Sequence, residues 1–193
     1  MSLFALVSYA VAASFTPGPN NLMALDGARR WGFRRMKAFV AGVSAGCFGV
    51  TLLACLLNLA LYQWIPGVRI VMGVLGTAYM LWLAWKIYKS TGNVAEKEMT
   101  LAYSLRAGFW LQFVNPKLLL YAITAVSTFV MPYHPSLPQL LGVSALLGVI
   151  ALFSSGSWAA FGALFQPFLK RHERAFNGIM ALLLVYSAAA VWI

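Results

Sequence analysis

From Leu118 to Leu169 the chain runs without a single Asp, Glu, Lys or Arg. Residues 1–25, 38–68, 70–85, 107–116 and 175–193 are also free of these charges. A soluble fold of this size cannot hide that much apolar surface. Composition agrees: of 193 residues, 62% are apolar and 9% charged, where soluble domains carry about 25% charged residues. A water-soluble enzyme and a disordered chain are both excluded. The remaining class is an all-α integral membrane protein. One span needs about 20 apolar residues, so about six spans with short loops use the whole chain. Continuous apolar runs, rather than period-two alternation, favour helices over a barrel.

Turn signals divide the long runs. They lie at Tyr62-Gln63-Trp64-Ile65-Pro66-Gly67 and Pro132-Tyr133-His134-Pro135-Ser136-Leu137-Pro138. The spacing predicts helices over 3–26, 37–62, 68–89, 104–131, 138–166 and 174–193. No positive n-region precedes the apolar start, so it reads as a retained span rather than a cleaved leader.

The net charge of +10 follows from the loops. Arg29, Arg30, Arg34, Arg35 and Lys37 cluster at the first loop. Lys86, Lys89, Lys97 and Arg106 cluster at the third, and Lys170, Arg171 and Arg174 at the fifth. The second and fourth hold only Arg69. Cytoplasmic loops of membrane proteins carry such an excess, so the odd loops are expected in the cytoplasm and both termini on the periplasmic side. Short basic loops between spans explain the charge without nucleic acid as a partner.

The polar linker Ser90–Glu98 lies near the midpoint, with three predicted spans on either side. An odd number of spans per half sets the halves in opposite orientations. The chain therefore reads as one polytopic domain, residues 1–193, of two inverted three-helix repeats, about 1–92 and 100–193. This is a common layout of secondary transporters.

The strongest local signal is Thr16-Pro17-Gly18-Pro19-Asn20-Asn21. Pro17 and Pro19 remove two backbone donors, and Gly18 adds freedom between them. Irregular backbone at membrane depth requires protein or a cavity around it. The counterpart is Gln112-Phe113-Val114-Asn115-Pro116-Lys117. Pro116 breaks the ladder and Asn115 offers an amide beside it. Lys117 lies about 20 Å into its predicted helix, a functional signal for an ionisable side chain. The first and fourth helices are thus both expected to break near mid-membrane. Asn20, Asn21, Asn115 and Lys117 are the candidate substrate-binding residues; Pro17, Gly18, Pro19 and Pro116 make the breaks. The ammonium and helix N-termini suit a carboxylate, and free carbonyls suit an amino group, so the ligand class is a small zwitterion.

Asp26 is the only acid near a span. It can form a surface salt bridge with Arg29 or Arg30, pair with Lys117, or carry a coupling proton. Gly42 and Gly46 form a G-x-x-x-G, parallel to Ala41, Ala45 and Gly49. Such faces pack within a chain or form a homodimer seam. Ser154-Ser155-Gly156-Ser157 is a small polar centre for a path wall or helix packing. Trp31, Trp64, Trp82, Trp85 and Tyr133 read as interface anchors against lipid. Cys47 and Cys55 form no C-x-x-C, and His134 and His172 lack a second ligand at metal spacing. Neither a metal nor another cofactor is expected, and no nucleophile–His–acid set signals an enzyme.

Phe15–Met23, Gly42–Gly49 and Gln112–Lys117 together resemble the lysine-exporter superfamily of bacterial amino-acid exporters, which includes homoserine/threonine exporters. The likeness covers the whole chain. Leu81–Ile87 and Ser127–Pro132 are most similar to its cysteine/O-acetylserine branch. The resemblance implies efflux of small neutral amino acids across the bacterial inner membrane. It places the family motif on Pro17, Gly18, Pro19, Asn20, Asn115, Pro116 and Lys117. A simple pore and a membrane scaffold without transport are the other readings.

Overall fold

The computed structural model describes residues 3–61, 65–89, 102–190 and 192, with all their side chains except 58–61 and 65–73. The linker Ser90–Glu98, Trp64 and the side chain of Arg69 therefore lie outside the described residues. Among the described residues the regular structure is entirely helical. The order is α1 (Leu3–Phe15), α2 (Pro19–Trp31), α3 (Phe33–Leu61), α4 (Ile65–Lys89), α5 (Leu105–Val114), α6 (Pro116–Phe129), a 3-10 turn (Met131–Tyr133), α7 (Leu137–Leu164), α8 (Gln166–Arg171) and α9 (Glu173–Ala189).

Local chemistry sets the boundaries. Gly18 is extended and Pro19 opens α2, where a missing N–H costs nothing. Gly32, at φ +84°, makes the single-residue turn from α2 into α3, a left-handed conformation that glycine adopts without a Cβ clash. Ser104 caps α5 by accepting from Ala107 N at 3.1 Å. Asn115 caps α6 ahead of Pro116, and the chain bends by 67° there. Ser136 and Gln139 form a capping box at α7.

Against the six predicted spans, two helices among the described residues are, by length and composition, long and apolar enough to cross a membrane, residues 33–57 and 137–164. The bent α5–α6 pair makes a third. The differences have physical causes. The first predicted span divides into two 13-residue helices, each about 20 Å long. The second of these carries Asp26, Arg29 and Arg30. The last helix has 17 residues, about 26 Å, against a hydrocarbon core of about 30 Å.

Helices α3 and α7 form the centre; α5 packs on α3, α2 on α7, and α9 on α4. One core joins α1, α3, α6 and α7 through Leu6, Cys47, Ala122, Val126 and Leu147. A second joins α2, α3 and α5 around Phe39, Val43 and Leu111. A third joins α2, α4 and α9 around Leu22, Leu83 and Leu184. Both cysteines are buried core side chains. Exposed Trp82, Trp85 and Tyr133 fit the anchor reading. Trp31 does not: its ring packs on Tyr103 at 5.0 Å.

The glycine pair on α3 is used within the chain. A Cβ at Gly42 would collide with the Leu105 carbonyl, and one at Gly46 with Gln112 and the Phe109 carbonyl. These glycines bring α5 against α3, so this face is not a free dimer seam. Backbone cannot rotate aside as a side chain can. Gly42→Ala is expected to cost about 1–3 kcal/mol, the usual penalty of overpacking. Gly142→Ala, where a Cβ meets nothing within 4 Å, should be near neutral. Thermal unfolding of both variants in detergent checks the contrast.

Candidate functional site

Breaking the first helix frees a run of carbonyls from its own hydrogen-bond ladder, and each needs another donor. Each finds a donor. Ala13 O accepts from Thr16 Oγ1 at 2.7 Å. Ser14 O accepts from Asn21 Nδ2 and Ser154 Oγ, both at 2.7 Å. Phe15 O accepts from Trp158 Nε1 at 3.2 Å. Thr16 O accepts from Asn21 Nδ2 at 3.0 Å and Lys117 Nζ at 2.9 Å. Pro17 O accepts from Lys117 Nζ at 2.9 Å and Ser187 Oγ at 3.0 Å. Lys117 also donates to Thr16 Oγ1 at 2.7 Å. Gly18 leaves room for this: a Cβ there would stand 2.8 Å from Lys117 Cδ.

The break thus binds three distant helices, and Lys117 from α6 is its charged pin. A cavity of about 40 Å³ remains beside it, lined by Gly18, Asn20, Asn115, Lys117, Tyr121 and Ser154. The first turns of α2 and α6 both line it. Two positive helix ends and one ammonium therefore meet at one small space, a setting that favours a negative group.

The amides divide into two roles. Asn20 Nδ2 donates to Gln112 Oε1 at 2.7 Å, and Gln112 Nε2 returns a bond to Asn20 Oδ1 at 3.1 Å. Asn115 Nδ2 donates to the same Asn20 oxygen at 3.1 Å. Asn21 differs from its neighbour. Its amide bonds are spent on Ser14 and Thr16, and its oxygen accepts from Ser155 at 3.1 Å. Asn21 lines the cavity as well, and these bonds tie it to the break. Gln112, Trp158 and Ser187 were not singled out as site residues by sequence, although Gln112 stands inside the second motif.

A family assignment now joins this geometry. Residues 11–193 match the LysE type translocator family. The chain belongs to that family. It is 41% identical over 196 residues to the cysteine/O-acetylserine efflux protein of Salmonella typhimurium (strain LT2), covering 100% of this chain and 98% of the relative. It is 40% identical over 191 residues to the cysteine/O-acetylserine efflux protein of Escherichia coli O6:H1, covering 98% and 97%. No solved structure matches the chain.

In this translocator Asp26 lies in a second polar cluster. Its oxygens meet Arg29 Nη2 at 2.6 Å and Arg30 Nε at 2.8 Å. Tyr103 Oη donates to Asp26 at 3.4 Å. Burial, then the Asp26 charge, raises the Tyr103 phenol above its ordinary value, so it stays a donor. Arg29 continues to Asn177 at 3.0 Å and Glu173 at 3.5 Å on α9, with its guanidinium 4.9 Å from the Phe176 ring centre. The expected surface pair is instead buried, with Arg29 1% exposed. The alternative pairing with Lys117 is absent, because Lys117 is taken by Thr16 and Pro17 and Asp26 by the two arginines. Among the described residues no group of His, Cys, Asp and Glu is arranged for a metal ion.

Two acids and two arginines balance this cluster, and removing one partner strands the rest. Arg29→Ala is expected to lower stability by about 3–5 kcal/mol, the range for breaking a buried pair. Lys170→Ala, on an exposed side chain, should stay within about 0.5 kcal/mol. Denaturation of the two purified variants reads the difference.

Proposed function

We propose that the chain is a secondary exporter that moves small neutral amino acids or their derivatives, cysteine and O-acetylserine foremost, from the cytoplasm across the bacterial inner membrane. The observation that carries this reading is the cavity where two interrupted helices and Lys117 meet, in a translocator-family chain. The full-length relatives named cysteine/O-acetylserine efflux proteins supply the substrate class. The apolar chain and its alternating loop charges support a multi-pass protein with both termini periplasmic. Six crossings result when α1–α2 and α5–α6 each count as one broken span.

The two halves then form inverted repeats that rock about the broken helices to alternate access. A substrate carboxylate competes with Thr16 and Pro17 for the Lys117 ammonium, where the helix N-termini also favour it. Asn20 and Asn115 orient the zwitterion, and Asn21 preserves the shape of the break. Asp26 holds the ionic cluster, and its carboxylate is the economical carrier if a coupling proton moves. Export needs no enzyme chemistry and no cofactor.

Lys117→Met removes a charge-assisted hydrogen bond to substrate, worth about 1.5–3 kcal/mol, or about 10- to 100-fold in affinity. Efflux is expected to fall by about that factor in Lys117→Met and Asn115→Ala, with membrane insertion retained. Growth medium from cells producing equal amounts of each form tests this. Cysteine or O-acetylserine enriched by the parent alone supports the assignment. Enrichment of homoserine or threonine moves the substrate, normal efflux in both variants removes the site, flux in liposomes that does not saturate leaves a pore, and no flux leaves a scaffold.

A further inference from the structure

The central cavity, about 40 Å³, has room for water but not for an amino acid. A much larger space, about 420 Å³, lies between α2, α4 and α5. Small-molecule sites occupy about 300–1,000 Å³. Its wall includes Asp26, Arg30, Tyr79, Trp82, Lys86 and Ala107. Lys86 stands 5.3 Å from the Trp82 ring centre, at the basic end of the molecule. Arg30 and Asp26 are paired with each other there, so Lys86 offers the cation for a carboxylate, the aromatic faces suit an ammonium, and the apolar walls suit a short side chain.

The two cavities approach each other at one place. Along α2, Asn20 lines the small cavity, while Met23 and Asp26, one and two turns on, line the large one. Along the second broken helix, Asn115 lines the small cavity and its neighbour Val114 the large one. The reciprocal Asn20–Gln112 bonds and the Asn115 bond to Asn20 lie at this boundary. Gln112 is fully buried there, seated in the space that Gly46 leaves.

We infer that the 420 Å³ cavity is a second binding site, which receives a small zwitterionic amino acid from the cytoplasm, and that the Asn20–Gln112–Asn115 amides are the partition it must cross to reach the centre. This rests on the exporter reading and on the orientation proposed with it. The amide bonds close the way without any apolar plug. A zwitterion can replace each of them with a bond of its own, so opening leaves no polar group unpaired. Gln112 is in this sense a positioning residue, acting through Asn20.

The test uses thiol labelling, since Cys47 and Cys55 are 1% and 0% exposed and should stay unreactive. Ala107→Cys, and Ala102→Cys nearer the start of the same wall, are treated with a membrane-impermeant thiosulfonate in inside-out and right-side-out vesicles. Labelling from the cytoplasmic face alone is expected, with efflux blocked afterwards. O-acetylserine at ten times its half-saturating concentration should slow labelling about tenfold; N-acetylserine, which lacks the ammonium, should not. Adding Gln112→Leu should stop efflux while leaving this protection intact, a split that simple misfolding does not produce. Labelling indifferent to O-acetylserine at both positions, or confined to the periplasmic face, overturns the second site. Loss of protection together with efflux in Gln112→Leu, or efflux at the parent rate, overturns the partition. If the parent protein itself moves no amino acid, the exporter reading fails instead.

Discussion

The organisation of this protein depends on how five carbonyls, from Ala13 to Pro17, are satisfied once the helix is broken. Two prolines and a glycine free them, and an unmet carbonyl in an apolar medium is costly. Asn21 and Thr16 supply part of the answer locally. The rest comes from Lys117, Ser154, Trp158 and Ser187, on three other helices. The polar requirement of one short segment thereby fixes the relative placement of α6, α7 and α9. It also brings a cation and two helix N-termini to the same point.

Close approach makes this possible. The Gly42 and Gly46 face brings α5 onto α3, and with it Gln112 onto Asn20. A larger residue at Gly46 would push away the amide that faces the break. Packing and site are therefore one construction on this side of the molecule. On the basic side, the Asp26–Arg29–Arg30–Glu173 cluster ties α2 to α9 with balanced charge. The two polar centres sit on successive turns of the same helix, so a movement of α2 acts on both.

Much of this was legible in the sequence, for definite reasons. Prolines cannot donate, so the interruptions at residues 16–19 and at Pro116 follow from composition alone. The Asp26–Arg29 pair follows from i,i+3 spacing. Its burial does not, because Asn177 and Glu173 come from a helix about 150 residues away in the chain. The depth of Lys117 marked it, but depth names no partner. A carboxylate seemed the natural one, whereas backbone carbonyls 100 and 101 residues earlier take its protons. Asn20 and Asn21 look alike in the sequence; a single residue of register, about 100° around the helix, sends the first toward Gln112 and the second into the break. Six apolar segments were readable, but the charges on α2 were not readable as interior, and they remove the first segment from any simple length criterion.

The spread of donors along the chain has a consequence for synthesis. The interrupted helix emerges from the ribosome before its distant donors, and its carbonyls then lack them. Lys117 follows about a hundred residues later, Ser154 and Trp158 after that, and Ser187 later still. Until then the nascent segment must keep water or translocon surface against its open backbone. The break thus gains its last donor, Ser187, 170 residues after Pro17 is made.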